Sequence, residues 1–296
     1  MLFAAMCVIW GLPYLLIRVA VRELDPPTLV FLRTAPAAML LLPIAAHRRQ
    51  LGPLLAAWRW VVAYTVIELG LPWLLLSRAE QRLSSSTAGL LVAGTPLVAA
   101  VLYPLFTGSA HLDRRRLFGL LVGFAGVGAL VGVDLRGGSL VAVAEVAVTV
   151  VGYACGPLVI SRKLSDLPGL GVISVSLALS ALAYTPVALT HLPSHVSVEV
   201  VASVAALALV CTALAFVLFF ELIAEIGPSR SVVITYLNPA VAVALGVVLL
   251  GEPFTVGIAI GFPLILIGSV LATGRSRPVR VSDLTGPTPP TRSAPR

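Results

Sequence analysis

Two ionisable side chains lie well inside long apolar stretches of the chain. Glu68 falls in the run VIELGLPWLL, with Pro72 and Trp73 close behind it, and Arg33 lies about two turns into a separate apolar run. A carboxylate in such surroundings can bind a ligand amine or carry a proton, or it can pair with an arginine for structural reasons, and both interpretations of Glu68 stay open. For Arg33 the sequence favours a side chain that snorkels outward to water, with pairing to Glu68 or to a ligand carboxylate as the alternative.

Several other side chains in these runs could face a shared cavity because they are polar or aromatic. The candidates are Trp10, Tyr14, Trp73, Thr95, Tyr153, Tyr236 and Asn238. Aromatic residues at the ends of apolar segments are also typical anchors at a membrane surface, so Tyr236, next to Asn238, is favoured among the tyrosines as a ligand contact. The remaining carboxylates lie nearer segment ends: we expect Glu145 and Glu221 to be solvated or paired with loop residues, and Glu252 to stabilise a turn.

Two prolines sit within apolar segments at corresponding places. Pro96 follows Thr95, and Pro239 follows Asn238. A proline inside a helix removes one backbone hydrogen bond and can kink the helix. We predict that Pro96 and Pro239 are hinges, with ordinary helix packing as the alternative.

The composition requires these residues to be positioned by helices in a lipid bilayer. Hydrophobic residues make up 58% and charged residues 11% of the 296 residues, and the mean hydropathy is +1.02. So few charges cannot cover a water-soluble surface. Apolar segments long enough to cross a bilayer predict an all-α integral membrane protein with ten transmembrane helices, near residues 2–21, 27–46, 57–77, 84–106, 117–134, 139–161, 168–190, 200–222, 229–250 and 255–273.

The net charge of +7 arises mainly from the C-terminal residues and carries a topology signal. Placing the N-terminus inside puts most of the 20 Lys and Arg on the cytoplasmic side, as the positive-inside rule requires. We therefore expect both termini in the cytoplasm, a disordered cytoplasmic tail over residues 274–296, and no nucleic-acid partner. The three cysteines lack metal-ligand spacing, so neither a metal nor a cofactor is predicted.

The chain also repeats itself. Pro13 and Arg18 match Pro157 and Arg162 at an offset of 144, Ser86 and Pro96 match Ser229 and Pro239 at 143, and GLLVGF at 119–124 matches GIAIGF at 257–262. Five spans per half is an odd number, so the second half must enter the membrane from the opposite side. The repeat predicts two inverted five-helix units, residues 1–137 and 138–273, which is a design of secondary transporters.

The landmarks of the two halves resemble the EamA-like family of the drug/metabolite transporter superfamily. The first half carries Trp10-Gly11, Arg18, Pro26-Pro27 and Arg33; the second carries Gly227-Pro228-Ser229, Leu237-Asn238-Pro239, Leu249-Leu250-Gly251-Glu252-Pro253 and Gly257-xxx-Gly261. The resemblance implies ten helices in two repeats, export or exchange of amino acids, metabolites or drugs, a cavity lined by the first four helices of each half, and peripheral fifth and tenth helices. The chain departs from the family at Tyr153 and Gly156-Pro157, where the family often has a tryptophan.

The sequence therefore predicts a secondary transporter of small organic molecules in the cell membrane, working by alternating access. No Walker-type GxxxxGK[ST] loop is present to couple ATP. The alternatives are a membrane-embedded enzyme, for which no paired acids or ligand cluster at membrane depth is apparent, and a passive channel, for which no filter motif is seen. GxxxG patterns at Gly119/Gly123 and Gly257/Gly261 indicate close helix contact, with a homodimer through the fifth and tenth helices as a weaker option. Substrate, direction and coupling ion are not encoded in any motif.

Overall fold

The computed structural model describes residues 1–107, 113–134, 140–231 and 233–273. The predicted tail at 274–296 and the predicted repeat boundary at 137/138 lie outside these residues. The described residues form helices and connections, with no strand. The main helices are α1 (Leu2–Ala20), α2 (Pro26–His47), α3 (Gly52–Glu80), α4 (Ser85–Val92 and Thr95–Thr107), α5 (Arg114–Asp134), α6 (Leu140–Leu164), α7 (Gly169–Thr190), α8 (Val198–Ile226), α9 (Ile234–Leu250) and α10 (Val256–Thr273).

These helices make the chain a multi-pass membrane protein. Within the described ranges, nine of them are long and apolar enough to cross a bilayer, and α9 is a shorter apolar helix preceded by one turn at Pro228–Ser231. A turn separates the last two predicted spans, since Gly251 ends α9 in a left-handed conformation with φ 66°. Glycine adopts this conformation without the penalty that a Cβ would add.

The two ends of the helix bundle can be identified from the connections that they hold. We call the end with the 21–25, 81–84, 191–197 and 251–255 connections the Glu252 end, and the opposite end the Met1 end. Three helices begin at the Glu252 end with a side-chain cap. The side chains of Asp25, Ser84 and Ser197 accept hydrogen bonds from backbone N–H groups in the first turns of α2, α4 and α8, which satisfies donors that a helix start leaves free.

Four helices are interrupted or widened along their length. α3, α6 and α8 contain π-helical turns at Thr65–Gly70, Ile160–Leu164 and Ala206–Leu214. α4 is broken at residues 93–94, immediately before Thr95 and Pro96. Pro239, the predicted counterpart of Pro96, lies inside the uninterrupted helix α9.

Helices α5 and α10 pack closely against each other through glycines. A Cβ built at Gly126 would meet the Gly261 carbonyl oxygen at 2.9 Å, and one at Gly119 would meet the Gly268 carbonyl oxygen at 2.9 Å. The small-residue faces proposed for a dimer are therefore occupied within one chain. A homodimer through these helices would have to use other faces of α5 and α10.

Candidate functional site

The side chain of Arg33 points into the helix bundle rather than out of it. It is 8% exposed. Its Nε donates to the Thr212 hydroxyl of α8 at 3.0 Å, and its guanidinium lies over the Trp73 ring of α3, 3.6 Å from the centroid. The prediction that Arg33 snorkels outward is wrong, because its face of α2 packs against α7 and α8 instead of lying at a membrane surface.

Aromatic side chains from two further helices surround this guanidinium. Tyr14 of α1 is buried and Tyr153 of α6 is partly buried, and both lie near enough to Arg33 for an electrostatic interaction. The site therefore draws residues from α1, α2, α3, α6 and α8. Of the candidates named from the sequence, Tyr14, Trp73 and Tyr153 are brought together around Arg33.

Arg33 is a buried cation that forms no ion pair among the described residues, where the ion pairs are those of Glu145, although Glu80 lies near enough for an electrostatic interaction. Its contacts are a hydroxyl and the face of an indole ring, both of which tolerate a guanidinium without neutralising it. A buried charge of this kind is expensive unless something pairs with it. The arrangement can bind an anionic group, and a carboxylate or phosphate suits the planar guanidinium fork.

Glu68 lies on the π-helical turn of α3, against Gly156 of α6. A Cβ at Gly156 would overlap the Glu68 carboxyl group, so only glycine leaves room for it. The Oε2 atom of Glu68 is buried and has no hydrogen-bond partner within the described part of the chain. Glu68 does not form an ion pair with Arg33. Tyr64 and Tyr153 lie near enough to Glu68 for an electrostatic interaction.

The π-helical turns supply polar groups to the site. The Thr212 hydroxyl donates to the Leu207 carbonyl at 2.7 Å, within the π turn of α8, and accepts the bond from Arg33. The Tyr184 hydroxyl of α7 donates to the Gly70 carbonyl at 3.0 Å, at the end of the π turn of α3. Such turns are common at functional sites because they leave backbone groups free to bond elsewhere. The sequence analysis missed Thr212 and Tyr184. The 143-residue offset that relates Ser86 to Ser229 also relates Glu68 to Cys211, and would have pointed to this part of α8.

The remaining cavity candidates make their contacts elsewhere in the bundle. The Trp10 ring packs on Phe219, with centroids 4.6 Å apart. Asn238 is buried, and with its amide oriented to suit its neighbours it donates to the Cys7 carbonyl at 3.2 Å. Tyr236 shares a hydrogen bond of 2.8 Å with the Thr273 hydroxyl, and the Thr95 hydroxyl donates to the Val92 carbonyl at 2.7 Å.

Glu80, the last residue of α3, was not identified as a candidate because the predicted third span stopped at residue 77. It is 0% exposed, and neither carboxyl oxygen has a hydrogen-bond partner among the described residues. The Arg18 guanidinium donates to the backbone carbonyl of Glu80. The helical spacing from Trp73 through Ser77 to Glu80 places all three on one face, and this spacing could have identified Glu80.

Glu252 does more than stabilise its own turn. Its carboxylate accepts four hydrogen bonds at the start of α4: from the backbone N–H groups of Ser85 and Ser86 at 2.7 and 3.0 Å, and from their hydroxyls at 2.9 and 2.5 Å. A Cβ at Gly246 would come close to both hydroxyls. The connection between α9 and α10 is thereby clasped to α4, and we call this group of residues the Glu252 clasp.

A second charged link lies at the same end of the bundle. Glu145 of α6 pairs with Arg78 at 3.1 Å and Arg82 at 3.4 Å. The expectation was a solvated or loop-paired Glu145; Arg82 lies in the connection after α3, whereas Arg78 lies within α3 and Glu145 itself is buried. Among the described residues, no group of three or more His, Cys, Asp or Glu is placed to hold a metal ion.

An apolar groove of about 380 Å³ lies between α2 and α8. Leu32, Pro36, Ala208 and Leu209 are among the residues that line it. These residues adjoin Arg33 and Thr212 along their helices but offer no polar side chain. The groove therefore adds an apolar surface beside Arg33 and no polar group.

Comparison with known proteins gives a consistent result. The sequence profile of the EamA-like transporter family matches residues 1–132 and 140–274. The chain is 22% identical over 293 residues to a Bacillus subtilis (strain 168) protein described as "Uncharacterized transporter YvbV", covering 94% of this chain and 92% of that protein. A solved crystal structure aligns with 92% of this chain and 95% of its own, with a TM-score of 0.63 and 20% identity, which shows a shared fold.

Proposed function

The chain belongs to the EamA-like transporter family, and we propose that it is a secondary transporter that exports or exchanges small organic molecules by alternating access. The observation that carries the proposal is the unpaired Arg33 cation, held by Trp73 and Thr212 among residues from five helices. A site assembled from so many elements changes shape when the helices move relative to one another. This is what a transport cycle requires.

The proposal includes two inverted halves, α1–α5 and α6–α10, and the helix packing supports it. A pseudo-two-fold axis exchanges α1 with α6, α2 with α7, and so on through the halves. The contact of α1 with α9 then corresponds to that of α6 with α4, and the contact of α1 with α8 to that of α6 with α3. The contacts α2–α7, α4–α9 and α5–α10 each correspond to themselves. The family profile also matches each half separately.

Two of the three π-helical turns in the described residues agree with the same axis. They lie in α3 and α8, which are counterparts under this exchange, whereas the third lies in α6. One turn carries Glu68 and the other carries Thr212, the residue that bonds Arg33. The two halves therefore place different side chains at corresponding positions around one site.

The chemistry of the site favours substrates that carry an anionic group beside an apolar or aromatic body. Arg33 would bind the carboxylate, Trp73 and the tyrosines would contact the body, and Glu68 would bind an amine or carry a coupled proton. Amino acids fit this description well. Neutral nucleosides and organic cations would leave Arg33 without an anionic partner.

We further propose that the Met1 end faces the cytoplasm in the cell membrane, which follows from the distribution of Lys and Arg. The Glu252 end would then face outward. A reporter fused after residue 296 that is active only outside the cytoplasm would contradict this orientation.

The function can be tested by counterflow in lipid vesicles that contain the purified protein. Vesicles loaded with an unlabelled amino acid should accumulate the same amino acid in labelled form from outside. Vesicles loaded with an unlabelled nucleoside or organic cation should not accumulate its labelled form. Absence of counterflow with every class would refute the transporter proposal. Flux that continues unchanged without substrate on the opposite side, and that does not saturate, would favour a channel instead.

A further inference from the structure

Glu80 differs from the other carboxylates at the Glu252 end. Glu252 accepts four hydrogen bonds, Glu145 has two arginine partners, and Glu23 accepts a bond of 2.7 Å from the Ser197 backbone N–H. Glu80 is fully buried, and both its carboxyl oxygens lack a partner among the described residues. An ionised carboxylate in such surroundings is strongly unfavourable, whereas the neutral acid is tolerated.

Glu80 lies close to the contact between the proposed halves. Its helix segment, Leu71–Glu80, packs against α6. The neighbouring Leu76 and Ala79 belong to a core cluster that also contains Ala142 of α6 and Ala242 of α9. The segment that ends at Glu80 therefore lies at the contact between the proposed halves, and separating these halves would open the surroundings of Glu80 to water.

The charged and titratable groups around Glu80 come from several elements. Near enough to Glu80 for an electrostatic interaction are Arg18 and Tyr14 of α1, Arg33 of α2, Tyr153 of α6, and Glu252 of the connection between α9 and α10. The Arg18 guanidinium is engaged by the backbone carbonyl of Glu80 and forms no ion pair with its carboxyl group. The cations Arg18 and Arg33 favour an ionised Glu80 and Glu252 opposes it. Burial without a hydrogen-bond partner is therefore what favours the neutral acid.

The Glu252 end is closed in this structure by links between the proposed halves. The Glu252 clasp joins α9 and α10 to α4, and the Glu145 ion pairs join α6 to α3. A hydrogen bond from Ser197 to Glu23 joins α8 to the end of α1. Burial of Glu80 thus accompanies the closed arrangement of this end.

We infer that the Glu80 carboxyl group is a proton-binding site, neutral while the Glu252 end is closed and ionised when that end opens. Closure is then linked to uptake of one proton from water, with the carboxylate becoming the carboxylic acid. The inference rests on the proposed alternating access. It assigns a proton as the ligand rather than a metal cation, because the nearest charged side chain on α1 is the cation Arg18 and no cluster of carboxylates surrounds Glu80 within the described residues.

The proton link can be measured without any substrate. Leu83 is buried three residues after Glu80, so a Leu83→Cys reporter is protected while this end is closed. The native Cys7, Cys155 and Cys211 are replaced by alanine, and labelling by a maleimide is followed against pH in lipid nanodiscs. Division by the rate at an exposed Leu192→Cys reporter corrects for the pH dependence of the maleimide reaction itself.

The corrected rate should rise with pH in the parent protein, by up to about tenfold per pH unit for one linked proton. Glu80→Gln should hold the rate low at every pH, because the neutral amide mimics the protonated acid. Glu145→Gln, which changes an ion-paired carboxylate at the same end, should retain the pH slope. Glu80→Asp keeps a titratable group and should retain the slope with a displaced midpoint, which gives a second readout if Glu80→Gln does not fold.

Three results would overturn the inference: a flat pH profile in the parent, an unchanged slope in Glu80→Gln, or protection that follows Na⁺ at fixed pH instead of protons. The labelling experiment is independent of transport. Failure of counterflow together with a normal pH slope would refute the proposed substrate transport and leave the proton site in place. Normal counterflow together with an unchanged pH slope in Glu80→Gln would refute the proton site and leave the proposed substrate transport in place.

Discussion

Breaking the Glu252 clasp should destabilise the protein by an amount that the hydrogen bonds of Glu252 define. The carboxylate accepts two backbone and two hydroxyl hydrogen bonds, all between 2.5 and 3.0 Å. A single hydrogen bond to a charged group contributes about 1.5–3 kcal/mol to stability, and a helix cap contributes about 1 kcal/mol. Because the four bonds act as one unit and their contributions do not add, we expect Glu252→Ala to cost about 3 kcal/mol.

Glu252→Gln should cost less, because the amide keeps one carbonyl acceptor but turns an NH₂ group toward the serine donors. A loss of about 3 kcal/mol corresponds to a fall in melting temperature of about 5 °C for a chain of 296 residues. Melting of the purified protein in detergent, followed by intrinsic fluorescence at a fixed scan rate, measures the fall. The fixed rate is needed because membrane proteins often unfold irreversibly.

Glu199→Gln is the matched control, since Glu199 is an exposed carboxylate in the first turn of α8. It should change the melting temperature by only a degree or two. A Ser85→Ala, Ser86→Ala double variant should lower the melting temperature less than Glu252→Ala does, because the backbone N–H donors remain. The triple variant that combines these changes with Glu252→Ala should lower the melting temperature by less than the sum of the falls caused by the double variant and by Glu252→Ala. If Glu252→Ala melts like the parent, the clasp does not stabilise the protein and the reasoning is refuted.

Two further perturbations test other parts of the structure. Gly156→Ala should lower the rate of transport because the new methyl group displaces the Glu68 carboxyl group. The control Gly128→Ala should have no effect, because nothing lies within 4 Å of a Cβ at that position. Equal transport by the two variants would show that the position of Glu68 does not matter. Hydrogen bonds from the Ser197 backbone N–H and side chain lower the pKa of Glu23 from its ordinary value. These hydrogen bonds therefore stabilise the folded protein at pH values above the ordinary pKa of Glu23. The contribution is lost as the pH falls through the lowered pKa of the folded state. Glu23→Gln should flatten that part of the pH–melting profile, and an unchanged profile would contradict the assignment.

The sequence was most informative where a pattern extends over many residues. Long apolar runs predicted an all-helical membrane protein, and the landmarks at Leu249–Pro253 correctly indicated the family. The turn at Gly251 was also anticipated, because glycine and proline together end a helix for local steric reasons. Patterns of this kind depend on neighbours along the chain and need no knowledge of packing.

The site was less accessible from sequence because its contacts connect distant parts of the chain. Arg33 and Thr212 are 179 residues apart, and Ser85 and Glu252 are 167 apart. The apolar run around Arg33 gives no indication of which face is covered by other helices, so snorkelling was favoured and burial was missed. Glu80 was placed in a loop because hydropathy falls before α3 ends. The π-helical turns leave no clear mark in composition.

The central claim is that this chain transports a small organic molecule bound by Arg33. The most direct measurement is amino-acid counterflow by Arg33→Gln beside Arg22→Gln, which changes an exposed arginine near the end of α1. Loss of one charge-assisted hydrogen bond to the substrate should raise the half-saturating concentration by about tenfold or more in Arg33→Gln. Arg22→Gln should behave like the parent. Counterflow by Arg33→Gln with parental half-saturation and rate would contradict the account.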